Sequence, residues 1–211
     1  GRAICVAFGK AGWRVGVHYR THVQAAARTA AAVRKHGGTA MLLHADIRDG
    51  KQTQEMVAQL VDRWGRLDVM VCNAGQATSG LVLAQRTDEW REDIETNLSG
   101  TFHCLRAAGA PMQSQRHGSI VVIGSYAAMQ GYPGQSSYAA SKAGLIGLVK
   151  SAAREWGPSG IRVNIIFPGW QQTKLAGDVC PSAGHFTDHA TGRPPARAQV
   201  AEAVAFLASM T

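Results

Sequence analysis

The feature that most constrains this chain is an alternation of two periodicities. Short apolar runs at Trp13–Tyr19, Ala40–His44, Leu67–Cys72, Ser119–Ile123 and Arg162–Phe167 have the length of buried strands. Between them lie stretches with apolar residues at helical spacing. Ile4, Cys5, Phe8 and Ala11 form the first, and His22–His36 the second, closed by Gly37-Gly38. Lys51–Trp64 carries Met56, Val57, Leu60, Val61 and Trp64 on one stripe, and Thr87–Asn97, Thr101–Gln115, Ser137–Trp156 and Ala198–Met210 continue the pattern. Strands joined through helices must cross over, so they are expected to run parallel with helices on both faces. Right-handed crossovers then give a doubly wound α/β sheet. The 211 residues hold no repeat, low-complexity tract or linker, so residues 1–211 are expected to form a single domain. Residues 171–195 are polar, Pro/Gly-rich and aperiodic, and are expected to form a substrate-binding loop or lid.

Composition narrows the function. Hydrophobic residues at 45% and charged residues at 17% exclude a disordered chain. No apolar run approaches the ~20 residues of a membrane-spanning helix, so no membrane partner is expected, nor a secretory leader. The formal charge is +8, yet Arg20, Arg28, Arg34, Lys35, Arg63, Arg66, Arg116, Lys142, Lys150 and Arg154 are scattered. Without a basic cluster or interleaved aromatics, nucleic acid is not an expected partner. Small anionic molecules, such as phosphates or acyl carriers, suit the balance better. Cys5, Cys72, Cys104 and Cys180 form no C-x-x-C, and the histidines lack metal-ligand spacing, so no metal site is expected. Reduced cysteines fit a cytoplasmic location.

Open α/β sheets bind ligands beyond the carboxyl ends of their strands. At those places stand Tyr19-Arg20, Asp46, Asn73-Ala74-Gly75, Ser125 and Pro168-Gly169. Farther on, Tyr138 and Lys142 lie four apart, one above the other on a helix face. A phenol of pKa about 10 is a poor acid at neutral pH. A neighbouring ammonium favours the phenolate. Tyr138 is therefore a candidate to protonate a developing alkoxide or to take a proton from an alcohol. Ser125 is a candidate partner for the same oxygen, or a turn serine. After the strand Trp13–Tyr19 an acid would read a ribose 2′-hydroxyl, but His18-Tyr19-Arg20 offers an arginine. Its planar fork suits a 2′-phosphate, unless it is only a solvated strand-end arginine.

Tyr138-Ala-Ala-Ser-Lys142, Ser125 after SIVVIG, NAG at 73–75, NLSG opening at Asn97, and Pro168-Gly169 stand in one order along the chain. In this they resemble the short-chain dehydrogenase/reductase family. The segments SYAAMQGYPGQSSYAASKAGLIGLVKSAARE and GRPPARAQVAEAVAFLAS are most similar to its 3-oxoacyl-[acyl-carrier-protein] reductase group. The resemblance covers essentially the whole chain. It implies a Rossmann-like fold and NADPH-dependent reduction of a carbonyl, most readily a 3-oxoacyl thioester. Sugar, polyol or steroid alcohol dehydrogenation and non-catalytic dinucleotide binding stay open as alternatives, and NAD(H) is not excluded as cofactor.

The resemblance also implies roles. Asn97, Ser125, Tyr138 and Lys142 would be catalytic, with Lys142 gripping the nicotinamide ribose and Asn97 holding a relay water. Asn97 alternatively is a helix-end asparagine. Gly1 would be the last glycine of the phosphate fingerprint. Tyr19 and Arg20 would meet the adenosine phosphate, and Asp46 and Ile47 the adenine. Asn73, Ala74 and Gly75 would line the ribose, and Pro168, Gly169 and Thr173 would flank the nicotinamide. Asp46 and Asn73 alternatively satisfy local backbone. Gln130, Tyr132 and Trp170 would line the substrate pocket with Ser125. Arg116 stands where a carrier-binding arginine would be, with Ser159 at the place of a second. Similar proteins are mostly homotetramers built partly on the tyrosine-bearing helix, where Leu145, Ile146, Leu148 and Val149 are compatible apolar positions. Three departures stand out. The chain opens at GRAI, without the strand and T-G-x-x-x-G-x-G that members carry. It stops at Thr211, before a final strand. Cys72 replaces an asparagine before NAG. A chain truly lacking the central strand is expected to bury too little to be stable alone.

Overall fold

The computed structural model describes residues 1–170 and 195–209. The predicted alternation is present, with ends shifted by one or two residues. In chain order the elements are α1 (Arg2–Lys10), β1 (Arg14–Tyr19), α2 (Val23–Lys35), β2 (Thr39–His44), α3 (Gly50–Trp64) and β3 (Val69–Cys72). Then follow α4 (Thr87–Ile94), a π-helical turn (Glu95–Ser99), α5 (Gly100–Gln115), β4 (Gly118–Ile123), a short α6 (Ala127–Gln130), α7 (Ser136–Trp156), β5 (Ile161–Ile166) and α8 (Arg197–Ser209). The two helices expected at Thr87–Asn97 and Thr101–Gln115 are thus one run, joined through the π turn. The expected loop lies outside the described residues except for Pro195, and so does Met210.

Local chemistry sets the element ends. The Asp49 carboxylate accepts from the Lys51 and Gln52 amides at 2.8 and 3.2 Å and caps α3. Gly65, at φ 79°, closes the same helix in the left-handed region that favours glycine.

All ladders are parallel. β1 pairs with β2, and β3, β4 and β5 pair in that order. β4 is buried on both sides. Ile120 and Val122 pack towards α5 and α7, while Val121 packs towards α1 and α8, and all three are fully buried. Each such side chain is worth about 1.5–3 kcal/mol when removed from water. Helices α3, α5 and α7 cover one face, and α1, α2 and α8 the other.

The sheet is in two pieces. Among the described residues no ladder joins β1 to β3, and a cavity of about 880 Å³ separates their facing edges, walled by Val15–Tyr19 and Val69–Cys72. The β1–α2–β2 crossover runs over one face and the crossovers from β3 onward over the other, so the winding reverses across this gap, and the crevice for a ligand is at the carboxyl ends of β1 and β3, where Tyr19, Arg20 and Asn73 stand. No helix among the described residues is long and apolar enough to cross a membrane.

Helices α1 and α2 approach backbone to backbone. A Cβ on Gly9 would lie 3.0 Å from the Val33 Cα and carbonyl oxygen. Gly9→Ala is therefore expected to destabilise the protein by roughly 1–3 kcal/mol through overpacking. A lowered urea midpoint at unchanged slope checks this.

Candidate active site

The site grows from the ends of β3, β4 and β5 and from one face of α7. The buried stripe of α7 runs through Ser141, Lys142, Leu145, Val149 and Ala152. Lysine is the anomaly in that stripe, with only 4% of its surface exposed. Its Nζ donates to the Ile123 carbonyl at 2.8 Å, where β4 ends. The next residue must be small, because a Cβ on Gly124 would lie 2.8 Å from the Ile166 carbonyl. The chain then reaches Ser125, whose Oγ accepts from the Ala127 amide at 3.2 Å and which lines the same cavity as the Tyr138 phenol. The Lys142 ammonium sits 5.8 Å from the centre of the Tyr138 ring.

Burial dominates the proton affinities. It pushes the Lys142 ammonium down from its ordinary 10.5 to about 8, against the Cys72 side chain, which pulls it upward. It pushes the Tyr138 phenol up; the Ser125 hydroxyl opposes this, and the charge of Asp93 adds to it. The expected lowering of the phenol by the ammonium is therefore not found; desolvation penalises both charged forms.

Asn97 is fully buried in the π turn. Its Oδ1 accepts from the Gln76 amide at 2.9 Å. Its Nδ2 donates to the Gln76 carbonyl and to Ser141 Oγ, each at 2.9 Å. Both amide hydrogens are spent, so one Oδ1 lone pair is what remains for a further partner. A Cβ on Gly75 would lie 3.1 Å from that Oδ1 and 3.5 Å from Lys142 Nζ. Only glycine leaves the space before both groups open.

Two cavities meet here. The first is the cavity between β1 and β3, which Tyr19, Arg20, Asp46 and Ile47 also line. The second, of about 1120 Å³, is lined by Ser125, Tyr138, Lys142, Tyr132, Pro168, Gly169 and Trp170. Gly1, Asn73, Ala74 and Gly75 line both. Tyr132 and Trp170 face each other edge-on, with ring centres 5.6 Å apart.

Several expectations are modified. Gln130 lines neither cavity; it is exposed and donates to the Tyr126 hydroxyl at 2.9 Å, because α6 turns it outward. Asp46 does not present a free carboxylate. Arg48 grips it through Nε at 3.0 Å to each oxygen and through a terminal nitrogen at 2.5 Å, which holds it below its ordinary range. Arg116 donates to the Pro158 carbonyl at 3.1 Å and ends α5 with φ 53°. Leu145 and Val149 are core residues, with Leu148 packed against them, and so are spent on the fold. Thr173 lies outside the described residues. Cys72 shares a hydrogen bond with Cys104, which together with burial pushes its thiol well above the ordinary range.

The sequence reading missed Gln76, Thr78, Asp93, Ser137 and Arg48. Ser141 was legible inside the Tyr138–Lys142 motif but was given no role. Asp93 was hidden among the acidic residues of Thr87–Ile94.

A buried lysine beside a phenol and a serine on one cavity wall is equipment for moving a proton at an alcohol oxygen. The class so defined is an NAD(P)-dependent oxidoreductase acting on CH–OH or C=O groups, and the chain belongs to the short-chain dehydrogenase/reductase family. A family model described as enoyl-(acyl carrier protein) reductase matches residues 1–211. The chain is 36% identical over 170 residues to the 3-oxoacyl-[acyl-carrier-protein] reductase FabG of Staphylococcus aureus, covering 81% of this chain and 69% of that protein. It is 34% identical over 175 residues to the 3-oxoacyl-[acyl-carrier-protein] reductase of a Synechocystis species, covering 83% and 71%. Among solved structures, NAD⁺-bound xylitol dehydrogenase matches with a TM-score of 0.92 at 25% identity, covering 100% of this chain and 88% of that one. A short-chain alcohol dehydrogenase described as putative, from Sinorhizobium meliloti, matches with a TM-score of 0.90 at 30% identity, covering 100% and 86%.

The Lys142 shift has a sign. Its folded value of about 8 lies below its ordinary 10.5, so the unfolded chain binds more protons between them and stability rises with pH across that window. Below about pH 8 the buried charge is a standing cost. Lys142→Met is expected to raise the melting temperature at neutral pH and to flatten that rise. Thermal melts of both proteins across the window check this.

Proposed function

We propose that the chain is an NADPH-dependent reductase that converts a 3-oxoacyl thioester, carried on an acyl carrier protein, to the 3-hydroxy form. The observation that carries the reading is the meeting of Ser125, Tyr138 and the buried Lys142 amine on one wall of the second cavity. The identity of 34–36% to reductases of that name supports the substrate class.

The residues present fit a dinucleotide. Gly1 and Arg2, at the start of α1, line both cavities, where a helix N-terminus and a guanidinium would suit a diphosphate. Gly75 leaves room before Lys142 that a Cβ would fill. Asn73, Ala74 and Gly75 line the ribose end, and Pro168 and Gly169 the nicotinamide end. Tyr19, Arg20, Asp46 and Ile47 surround the adenosine end. Arg20 is exposed there, and the neighbouring acid Asp46 is already paired with Arg48, which supports 2′-phosphate recognition.

When bound, the dinucleotide supplies the hydride. Ser125 and Tyr138 hold the carbonyl oxygen and point their hydroxyls where charge develops. Tyr138 gives its proton to that oxygen. Lys142 returns a proton to Tyr138, and Asn97 holds the water that resupplies Lys142. Tyr132 and Trp170 shape the substrate end. Exposed Trp90, Phe102 and Phe206, on α4, α5 and α8, offer apolar surface for assembly into a homotetramer.

Oxidation of a polyol with NAD⁺ is the second reading, favoured by the likeness to xylitol dehydrogenase. Turnover of a 3-oxoacyl thioester with NADPH, against xylitol with NAD⁺, separates the two. Tyr138→Phe is expected to lower kcat about 100-fold or more. Arg20→Ala is expected to lower the preference for NADPH over NADH by about 10-fold or more, the worth of a charge-assisted hydrogen bond. Wild-type preference for NADH overturns the Arg20 assignment.

A further inference from the structure

Asp93, on α4, is completely buried, and among the described residues no cation pairs with it. Donors surround it instead. Oδ2 accepts from Ser137 Oγ at 2.6 Å, from Thr78 Oγ1 at 3.0 Å and from the Thr78 amide at 3.1 Å, and Oδ1 accepts from Gln76 Nε2 at 3.3 Å. A buried carboxylate without a counter-ion is costly, and a well-packed apolar residue at the same place is often the more stable choice. Its donors come from two places that matter to the site. Gln76 and Thr78 belong to the segment after β3 that begins with Asn73–Gly75, and Ser137 immediately precedes Tyr138.

No side-chain cap holds the first turn of α7. Its serines are tied sideways instead. Ser137 Oγ accepts from Gln85 Nε2 at 2.6 Å, and Ser136 Oγ donates to Gln85 Oε1. Asp93 and Asn97, one turn apart, then hold Gln76 twice: Asp93 by its side chain and Asn97 by its backbone. One carboxylate thus joins the segment bearing Gly75, the turn bearing Asn97 and the helix start bearing Tyr138.

We propose that Asp93 is a positioning residue that fixes the Tyr138 end of α7 against the segment after β3, and with it the placing of the phenol beside Ser125. This rests on the reading of Tyr138 as the proton donor. The groups acting on the phenol are Ser125 after β4, Lys142 on its own helix, and Asp93 across the interface, whose charge raises its proton affinity.

The test compares wild type with Asp93→Asn, which removes the charge and keeps the shape. Tyr138 is titrated by phenolate absorbance, with Tyr138→Phe subtracted, and steady-state kinetics are run with NADPH and a 3-oxoacyl thioester. The Tyr138 step is expected to move to lower pH. Turnover is expected to fall roughly 10- to 100-fold, as for a slightly misplaced catalytic group, with KM for NADPH unchanged. A folded variant whose only defect is a lower melting temperature, with step and kcat as in wild type, overturns the proposal. If Asp93→Asn does not fold, Ser137→Ala cuts the tie to α7 alone, and wild-type kcat in that variant overturns it equally. The titration needs no substrate. A protein inactive on every thioester whose Tyr138 step still moves refutes the proposed activity and leaves the positioning role standing.

Discussion

Lys142 holds its ammonium 2.8 Å from one backbone carbonyl in a site that water scarcely reaches, and the neighbouring structure is arranged around that amine. A single neutral acceptor returns less than desolvation of a charge costs. The position survives because both sides of it are rigid. On one side, Leu145, Val149 and Ala152 pin α7 into the core. On the other, β4 is buried on both faces and delivers Ile123 at a fixed height, with Gly124 letting β4 and β5 close together behind it. The cost appears as a lowered proton affinity, which is also what the proposed role of the lysine would need: an amine near neutrality exchanges protons that an ordinary one keeps.

The polar groups around the amine are spent on one another rather than on water. Asn97 binds both the amide and the carbonyl of Gln76, as a neighbouring strand would, and reaches Ser141 with its second hydrogen. Ser141 donates in turn to the Tyr138 carbonyl at 2.7 Å. This geometry depends on the π turn at Glu95–Ser99, whose wider spiral replaces the ordinary helical turn around Asn97. No buried side-chain polar atom among the described residues is left without a partner. A network satisfied to that degree fixes one arrangement, whereas a partly satisfied one leaves several.

Much of this was legible in the sequence, for identifiable reasons. Strand runs such as Ser119–Ile123 and the stripe of α3 follow from periodicity, which burial enforces directly. Tyr138, Lys142 and Ser125 stood out as candidates in the sequence because a lysine in a stripe that packing would fill with apolar residues is unusual, and a phenol one turn away and a serine at a strand end mark the same place. Asp93 and Gln76 did not, since nothing local distinguishes a buried acid on α4 from its solvated neighbours Asp88 and Glu89. Their environment is made by Thr78 and Ser137, far away in sequence. The pairing of Asp46 with Arg48 was missed for the opposite reason. It is purely local, and a turn two residues long decides whether a carboxylate faces a ligand or its neighbour. Gln130 was misplaced because α6, a single turn, is too short to show a period.

On the proposed reading, recognition and chemistry would rest on different electrostatics. Arg20 is an exposed cation lining the first cavity, where salt screens it and where its value to a phosphate would lie in geometry and number of hydrogen bonds. Lys142 is a buried amine on the wall of the second cavity, next to Gly75 at the junction, where screening is weak. The residues common to both cavities are Gly1, Arg2, Ile4 and Asn73–Gly75, so the junction sets one arginine among backbone and small side chains. On the proposed reading an elongated ligand spanning the two would meet a cation at Arg20 and another at the junction, and the buried amine of Lys142 beside Gly75.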